Sequence, residues 1–257
     1  MRLLFDFDGV LMNSCHEASL AAYRAVTAEP VTRLEDLPEG CLRLFERNRH
    51  FFVPAGEALP LMRWCLSKLN GPHDAMLTPD EWQRVKDLET LSTGERSRLF
   101  FKSRQAIVDY DREAWLPLSQ PYQPIWDAIK PVADQIIILT NKNRTAVLDL
   151  TEYWKLPVRP ENIFAADGGA SKTDNLAVIL QREQRGDWMF IDDQLTNLLK
   201  ISEFISQPLQ SAEYNRFDLA LAGWGYCDDN MRSASQRMSF PVLTQEEVIK
   251  LATRDLD

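Results

Sequence analysis

Several features are scarce in this chain, and each scarcity excludes a class of function. Histidine occurs three times, at His16, His50 and His73, scattered without the spacing of metal ligands, so none is read as part of a His-built metal centre. The four cysteines, Cys15, Cys41, Cys65 and Cys227, form neither a C-x-x-C pair nor a cluster. They read as free buried thiols in a reducing compartment rather than a zinc site or a disulfide framework. Positive charge is in deficit, with 29 Lys and Arg against 38 Asp and Glu, a net charge of -9 and a pI near 5.0. That balance argues against nucleic acid or an anionic membrane as the main partner. No stretch approaches the roughly 20 apolar residues of a membrane span, and no signal-peptide pattern follows Met1, so a cytoplasmic protein is expected. Internal repeats and low-complexity segments are missing, and the loop Asp167-Gly168-Gly169-Ala170-Ser171 lacks the spacing of a nucleotide-binding Walker loop.

What remains is an ordinary globular composition. The 257 residues are 45% hydrophobic and 26% charged, enough for one large domain or two modest ones. Helical texture dominates from Ser14 to about Trp115. Ser14-Cys15-His16-Glu17 predicts a capping box and a helix starting at Cys15, and Thr78-Pro79-Asp80-Glu81 predicts a second helix start. Pro117, Pro121 and Pro124 break this texture, after which short apolar strands alternate with helices. The strands are expected at Ile136–Leu139, Ile163–Ala166, Trp188–Ile191 and Leu219–Ala222, with helices at 125–132, 144–154 and 174–183. A last helix opens at the capping box Thr244-Gln245-Glu246-Glu247. Alternation of this kind predicts an α/β fold, a doubly wound parallel sheet of Rossmann-like type.

The stretch that organises the chain is Asp6-Phe7-Asp8-Gly9-Val10-Leu11, reached directly from the apolar run Leu3-Leu4-Phe5. Side chains two apart on a strand share a face, roughly 6 to 7 Å apart. Two such carboxylates can flank one tetrahedral group, one attacking phosphorus and the other protonating the departing oxygen. Gly9 lets the backbone turn away and approach a ligand closely. An isolated D-x-D is also a common solvated turn, so context decides. In open parallel sheets ligands bind beyond the carboxyl ends of the strands, and Asp6, Asp8, Thr140, Lys172 and Asp193 all fall at or just past expected strand ends.

The motif Asp6-Phe7-Asp8-Gly9-Val10-Leu11 resembles the opening motif of the haloacid dehalogenase superfamily, most of whose members are phosphatases. Thr140, in Leu139-Thr140-Asn141-Lys142, resembles the second motif in the version found in the phosphoglycolate-phosphatase-like branch. Lys172 stands where the third motif belongs, with Lys142 and Lys155 as rivals. Asp192-Asp193-Gln194-Leu195-Thr196-Asn197 resembles the fourth motif in an Asp-Asp form, with Asp192 at a place often filled by Gly and Asn197 where many members carry another acid. Trp224-Gly225-Tyr226 is similar to the same branch.

The resemblance implies that Asp6 is the nucleophile, Asp8 the general acid and base, and Lys172 the catalytic lysine. Gly9, Thr140, Asn141 and Lys172 would bind the phosphoryl group. Asp6, the backbone carbonyl of Asp8, and Asp193 would hold Mg²⁺, with Asp192 and Asn197 as outer neighbours of the ion. Charge arithmetic supports a cation, since Asp6, Asp8, Asp192 and Asp193 against Lys172 would repel a phosphate ester. Asp8 also separates the chain from true dehalogenases, whose halide leaving group needs no acid.

The long gap between the first and second motifs implies a catalytic core of residues 1–13 and 116–257 with an all-helical C1-type cap at 14–115. A cap of this type excludes water and grips the leaving group. Arg24, Arg43, Arg47, Arg49, Lys102 and Arg104 are its candidate anion contacts, with surface salt bridging as the other reading. The expected activity is Mg²⁺-dependent hydrolysis of a small phosphorylated metabolite by a monomer or homodimer. A phosphomutase, a phosphonate hydrolase and a binding protein on a retired enzyme core remain as alternatives.

Overall fold

The computed structural model describes residues 1–183, 186–207 and 214–253. The chain divides into two compact units, residues 14–120 and residues 1–13 with 121–257. Strand β1 (Arg2–Phe5) opens the second of these, and the helical unit follows it in sequence.

The helical unit contains α1 (Cys15–Thr27), α2 (Cys41–Arg47), α3 (Ala58–Ser67), α4 (Pro79–Asp87), α5 (Thr93–Tyr110) and α6 (Arg112–Trp115). Helix α1 packs against α3 and α5, its alanines 18, 21 and 22 giving a smooth buried face. Thr78 and Ser92 each accept from the backbone amide three residues on, forming full capping boxes at α4 and α5. The predicted box at Ser14 is different. Helix α1 does start at Cys15, but no side-chain cap bond forms there. Glu17 is buried and its carboxylate meets the Arg104 guanidinium at 2.9 Å, a charge-assisted contact within the helical unit.

The α/β unit continues with α7 (Gln123–Ile129), β2 (Ile137–Leu139), α8 (Arg144–Tyr153), β3 (Ile163–Phe164), α9 (Lys172–Arg182) and β4 (Asp187–Asp192). It ends with α10 (Leu195–Ile205), β5 (Arg216–Ala222), α11 (Asp229–Arg237), β6 (Val242–Leu243) and α12 (Gln245–Thr253). Helix α9 begins at Lys172 rather than at Asp174, because Ser171 caps it: Ser171 Oγ accepts from the Asp174 amide. The sheet order is β3-β2-β1-β4-β5-β6, and every pairing is parallel. Leu4, Ile137, Leu139, Trp188, Phe190, Leu219 and Leu221 fill one face with Leu176 and Ile179 of α9 and Leu198 and Ile201 of α10. Leu3, Phe5, Ile138, Ile191 and Ala220 are buried on the other face. Burial on both faces explains why these strands read as continuous apolar runs rather than alternating ones.

The order of strands reverses between β1 and β4. In doubly wound sheets that switch point opens a crevice at the carboxyl ends of the two strands, where ligands bind.

Candidate active site

Two strand ends and one helix start meet at the switch point. Phe5 pairs with Ile191, and the Asp6 amide donates to the Ile191 carbonyl at 2.9 Å. One step further along, Asp6 and Asp192 are neighbours on adjacent strands and on the same side of the sheet as Leu4 and Phe190. Lys172, the first residue of α9, reaches into that space. Its Nζ lies 3.0 Å from Asp6 Oδ2 and 2.6 Å from Asp192 Oδ2. Asp192 is fully buried, and its carboxylate also accepts from the Gln194 amide at 2.8 Å and from Asn197 Nδ2 at 3.1 Å on both oxygens.

Asp193 turns toward the loops. Its Oδ2 accepts from the Tyr226 amide at 2.8 Å and from Gln194 Nε2 at 3.3 Å. Gly9, with φ of +84°, and Gly225 both lie against this side chain, and a Cβ at either would collide with it. Glycine is required at position 9 twice over, by its dihedral and by its neighbour. Asp8 is one-quarter exposed and pairs with Lys142 Nζ at 3.1 and 3.3 Å.

One oxygen from each of Asp6, Asp192 and Asp193 lies within 4.8 Å of the others, and all three residues are buried. Burial pushes the Asp6 carboxyl up to about 7; the Lys172 ammonium pulls against this, and Asp192 adds to it. Burial also opposes the Lys172 charge, but Asp192 and then Asp6 outweigh it and hold the ammonium above the ordinary lysine range. The residues fit a hard divalent cation. The donors are carboxylate oxygens, and Gln194 Oε1, next to Asp193, is buried with no hydrogen-bond partner. Three buried carboxylates, two of them paired with one ammonium, form a cluster whose excess charge a cation would relieve.

The structure therefore brings Asp6, Lys172, Asp192, Asp193 and Asn197 into one hydrogen-bonded group, and Gly9 borders it. Thr140 follows β2, buried, and its Oγ1 accepts from the Lys142 amide at 3.1 Å. This is the local bond that closes a strand, and it leaves the hydroxyl hydrogen able to donate. Asn141 is exposed beside it. Lys142 Nζ pairs with Asp8, whereas Lys172 Nζ pairs with Asp6 and Asp192. Lys155 stands at the end of α8 with a positive φ of 58°. In the helical unit, Arg24 and Arg49 donate to the carbonyls of Val31 and Phe52, and Arg104 is paired with Glu17; Arg43, Arg47 and Lys102 are exposed.

Sequence reasoning missed the pairing of Lys142 with Asp8 and the support given to Asp193 by Gln194 and the Tyr226 amide. Trp224-Gly225-Tyr226 was the available signal. It proves to be the loop that holds this corner: Trp224 Nε1 donates to the Val10 carbonyl at 3.1 Å and Tyr226 OH to Asn13 at 3.0 Å.

No family model matches the sequence, and no curated protein matches it either. Solved structures do match in fold. A haloacid dehalogenase-like family hydrolase from Streptococcus pneumoniae is 15% identical, with a TM-score of 0.58 over 97% of this chain and 96% of its own. A candidate phosphatase from Clostridium difficile is 11% identical, with a TM-score of 0.56 over 97% of each chain. A candidate phosphoglycolate phosphatase from Lactobacillus delbrueckii is 14% identical, with a TM-score of 0.53 over 98% of this chain and 99% of its own. At such identities the likeness is one of fold. The fold is that of the haloacid dehalogenase-like hydrolases, an α/β Rossmann-like core with a helical insertion.

Proposed function

We propose that this haloacid dehalogenase-like chain is a Mg²⁺-dependent phosphohydrolase acting on a small phosphorylated metabolite through an aspartyl phosphate on Asp6. The observation that carries the reading is the seating of Lys172 at 3.0 Å from Asp6 beside Asp193, at the one place in the sheet where the strand order reverses. A buried carboxylate held by an ammonium is oriented for attack at a phosphoryl centre whose charge the same ammonium can share.

In this reading residues 1–13 and 116–257 form the catalytic body and residues 14–115 a cap insertion. An Asp6 oxygen attacks phosphorus as the ester P–O bond breaks, and the Asp8 carboxyl gives its proton to the departing alkoxide. Asp8 then takes a proton from the water that attacks the aspartyl phosphate, releasing orthophosphate and restoring Asp6. Thr140, Asn141 and Lys172 stabilise the transferring group. Asp6, the backbone carbonyl of Asp8 and Asp193 would hold Mg²⁺, which supplies charge neutralisation at the phosphoryl oxygens when bound. The buried free thiols fit the reducing cytoplasm, and no described helix is long and apolar enough to cross a membrane.

The test is a panel of phosphate monoesters that includes 2-phosphoglycolate, sugar phosphates and nucleotides, assayed for orthophosphate release with Mg²⁺ and with EDTA. Thr140-Asn141-Lys142, Trp224-Gly225-Tyr226 and the Lactobacillus neighbour put 2-phosphoglycolate first on the panel. Release on at least one ester, silenced by EDTA and restored by Mg²⁺, is expected. Inactivity across the panel would overturn the reading in favour of a binding protein, and isomerised hexose phosphate without release would point to a mutase.

A further inference from the structure

The turn that carries Asp8 closes tightly on itself. The Phe7 carbonyl accepts from the Leu11 amide at 2.9 Å and the Met12 amide at 2.8 Å, and the Gly9 amide donates to the Met12 carbonyl at 2.7 Å. Asp8 lies inside this turn, and Lys142 holds its carboxylate. The main chain of the turn has a second support, from a segment far along the sequence. The loop after β5 reaches past the end of β4, since β5 stands two strands from β1. There Trp224 Nε1 donates to the Val10 carbonyl at 3.1 Å, and Tyr226 OH donates to Asn13 Oδ1 at 3.0 Å. Gly225, between the two aromatics, brings its backbone so close to the Gly9 carbonyl that a Cβ there would collide with it. The turn is thus held at its middle and at its end, with a backbone contact where it begins.

We infer that Trp224 and Tyr226 are positioning residues for Asp8, fixing the backbone turn from which it delivers its proton. The inference rests on the phosphohydrolase reading. In that reading an Asp6 oxygen bonds to phosphorus as the ester P–O bond breaks, and the Asp8 proton goes to the departing oxygen. The products of the step are an alcohol, the Asp8 carboxylate and the aspartyl phosphate. Such a transfer needs a heavy-atom approach of about 2.6 to 3.2 Å, and a misplacement of about 1 Å can cost on the order of 10²-fold. Lys142 cannot supply this precision alone, because an ammonium on a flexible four-carbon stem follows the carboxylate wherever the backbone carries it. The indole and the phenol act on the turn itself. An indole has a single hydrogen-bond donor, and in Trp224 it is spent on Val10.

The experiment measures kcat/KM for para-substituted phenyl phosphates, from p-nitrophenyl to p-methoxyphenyl, with the parent chain, Asp8→Asn, Trp224→Phe and Tyr226→Phe. A p-nitrophenolate leaves readily without a proton, whereas a p-methoxyphenolate depends on the acid. Asp8→Asn is expected to lose about 10²- to 10⁴-fold on the p-methoxyphenyl ester and much less on the p-nitrophenyl ester. Trp224→Phe keeps an aromatic ring and removes the donor. Its loss on p-methoxyphenyl phosphate should exceed its loss on p-nitrophenyl phosphate by about tenfold or more, and Tyr226→Phe should shift the ratio the same way by a smaller factor. Slack packing or weakened binding lowers every ester alike, so equal losses across the series, or none, would overturn the inference. If Trp224→Phe fails to fold, Tyr226→Phe removes one hydroxyl and carries the same test. A series left unchanged in slope by Asp8→Asn would remove Asp8 as the acid, and the inference with it. Were the parent inactive on every ester, the phosphohydrolase reading would fall, and amide hydrogen exchange would still judge the hold on the turn. Trp224→Phe is expected to speed exchange at Leu11 and Met12 and to spare the Asp6 amide, which is bonded to Ile191; parental exchange at Leu11 and Met12 would show that the indole does not hold the turn.

Discussion

The two units bury polar side chains in opposite ways. In the helical unit the buried charges and amides are spent on the unit's own backbone and on each other. Glu17 pairs with Arg104, Arg96 donates to the Gly56 carbonyl and to Thr93, and Asn48 bridges the Leu44 and Ala75 carbonyls while accepting from the Leu77 amide. At the switch point of the sheet, Asp6, Asp192 and Asp193 lie close together, and one ammonium pairs with the first two. In the first pattern a buried carboxylate meets a guanidinium, and buried Arg96 and Asn48 meet backbone and hydroxyl groups of the same unit. The second keeps an excess of one sign, which a bound cation would offset. Burial alone does not mark a functional site; unbalanced burial does.

The largest effect that tests this contrast is at Asp6. Asp6→Asn should lower phosphate release by about 10⁴-fold or more, while leaving the thermal midpoint of the metal-free protein equal or higher, since a desolvated charge is removed. A steady-state assay beside a melting curve reads both, and a folded variant with parental turnover would end the nucleophile assignment. Next comes Glu17→Gln in the helical unit. It leaves Arg104 buried without its counter-charge, and a loss of about 3 to 5 kcal/mol in urea unfolding is expected. Were Glu17→Gln neutral and Asp6→Asn destabilising, the comparison would be inverted.

A smaller effect concerns pH. Asp6 sits at about 7 in the folded protein against an ordinary 3.8. Between these values the folded state binds the extra proton, so stability conferred by this group is present at the acid end and is lost as pH rises through the window. In metal-free protein the stability of the parent relative to Asp6→Asn should fall from pH 4.5 to 7.5, and Mg²⁺ should reverse that fall by favouring the ionised form. A relative stability that rises with pH would contradict the burial argument. The smallest effect uses the thiols as reporters. Burial pushes Cys41 in the helical unit and Cys227 in the α/β unit each up to about 11, so neither should react with a thiol reagent at pH 8 until its unit opens. Reaction rates in rising urea then give the opening of each unit separately, and rapid labelling in native buffer would show the burial to be wrong.

Much of the α/β core was legible because its signals are local. An apolar run ending in Asp-x-Asp-Gly has only a few structural uses, and strands buried on both faces announce themselves as uninterrupted hydrophobic stretches. Lys172 was legible by its position before a helix, although the Ser171 cap that makes it the first helical residue was passed over. What was hidden depends on contacts between distant positions. Nothing in Thr140-Asn141-Lys142 says that the lysine will find Asp8, and a backbone donor such as the Tyr226 amide leaves no residue-type signature at all. Ser14 with Glu17 shows the opposite failure, a local pattern that marks the start of the helix while Ser14 makes no side-chain cap bond and Glu17 pairs with Arg104. Strand β6, two residues long beside Pro241, is too short to carry a period.

The register of β1 has a consequence for how such a chain is assembled. Leu4 lies between Ile137 and Phe190, both far along the sequence, so the strand that leads into Asp6 has no hydrogen-bonding neighbour until much of the remaining polypeptide is available. The helical unit, built from contiguous sequence, is free to form while Leu3, Leu4 and Phe5 wait as a sticky extended segment. The corner of Asp6, Lys172 and Asp192 therefore joins residues from the first and the later thirds of the chain, and it is complete only in a polypeptide that extends through Asp192.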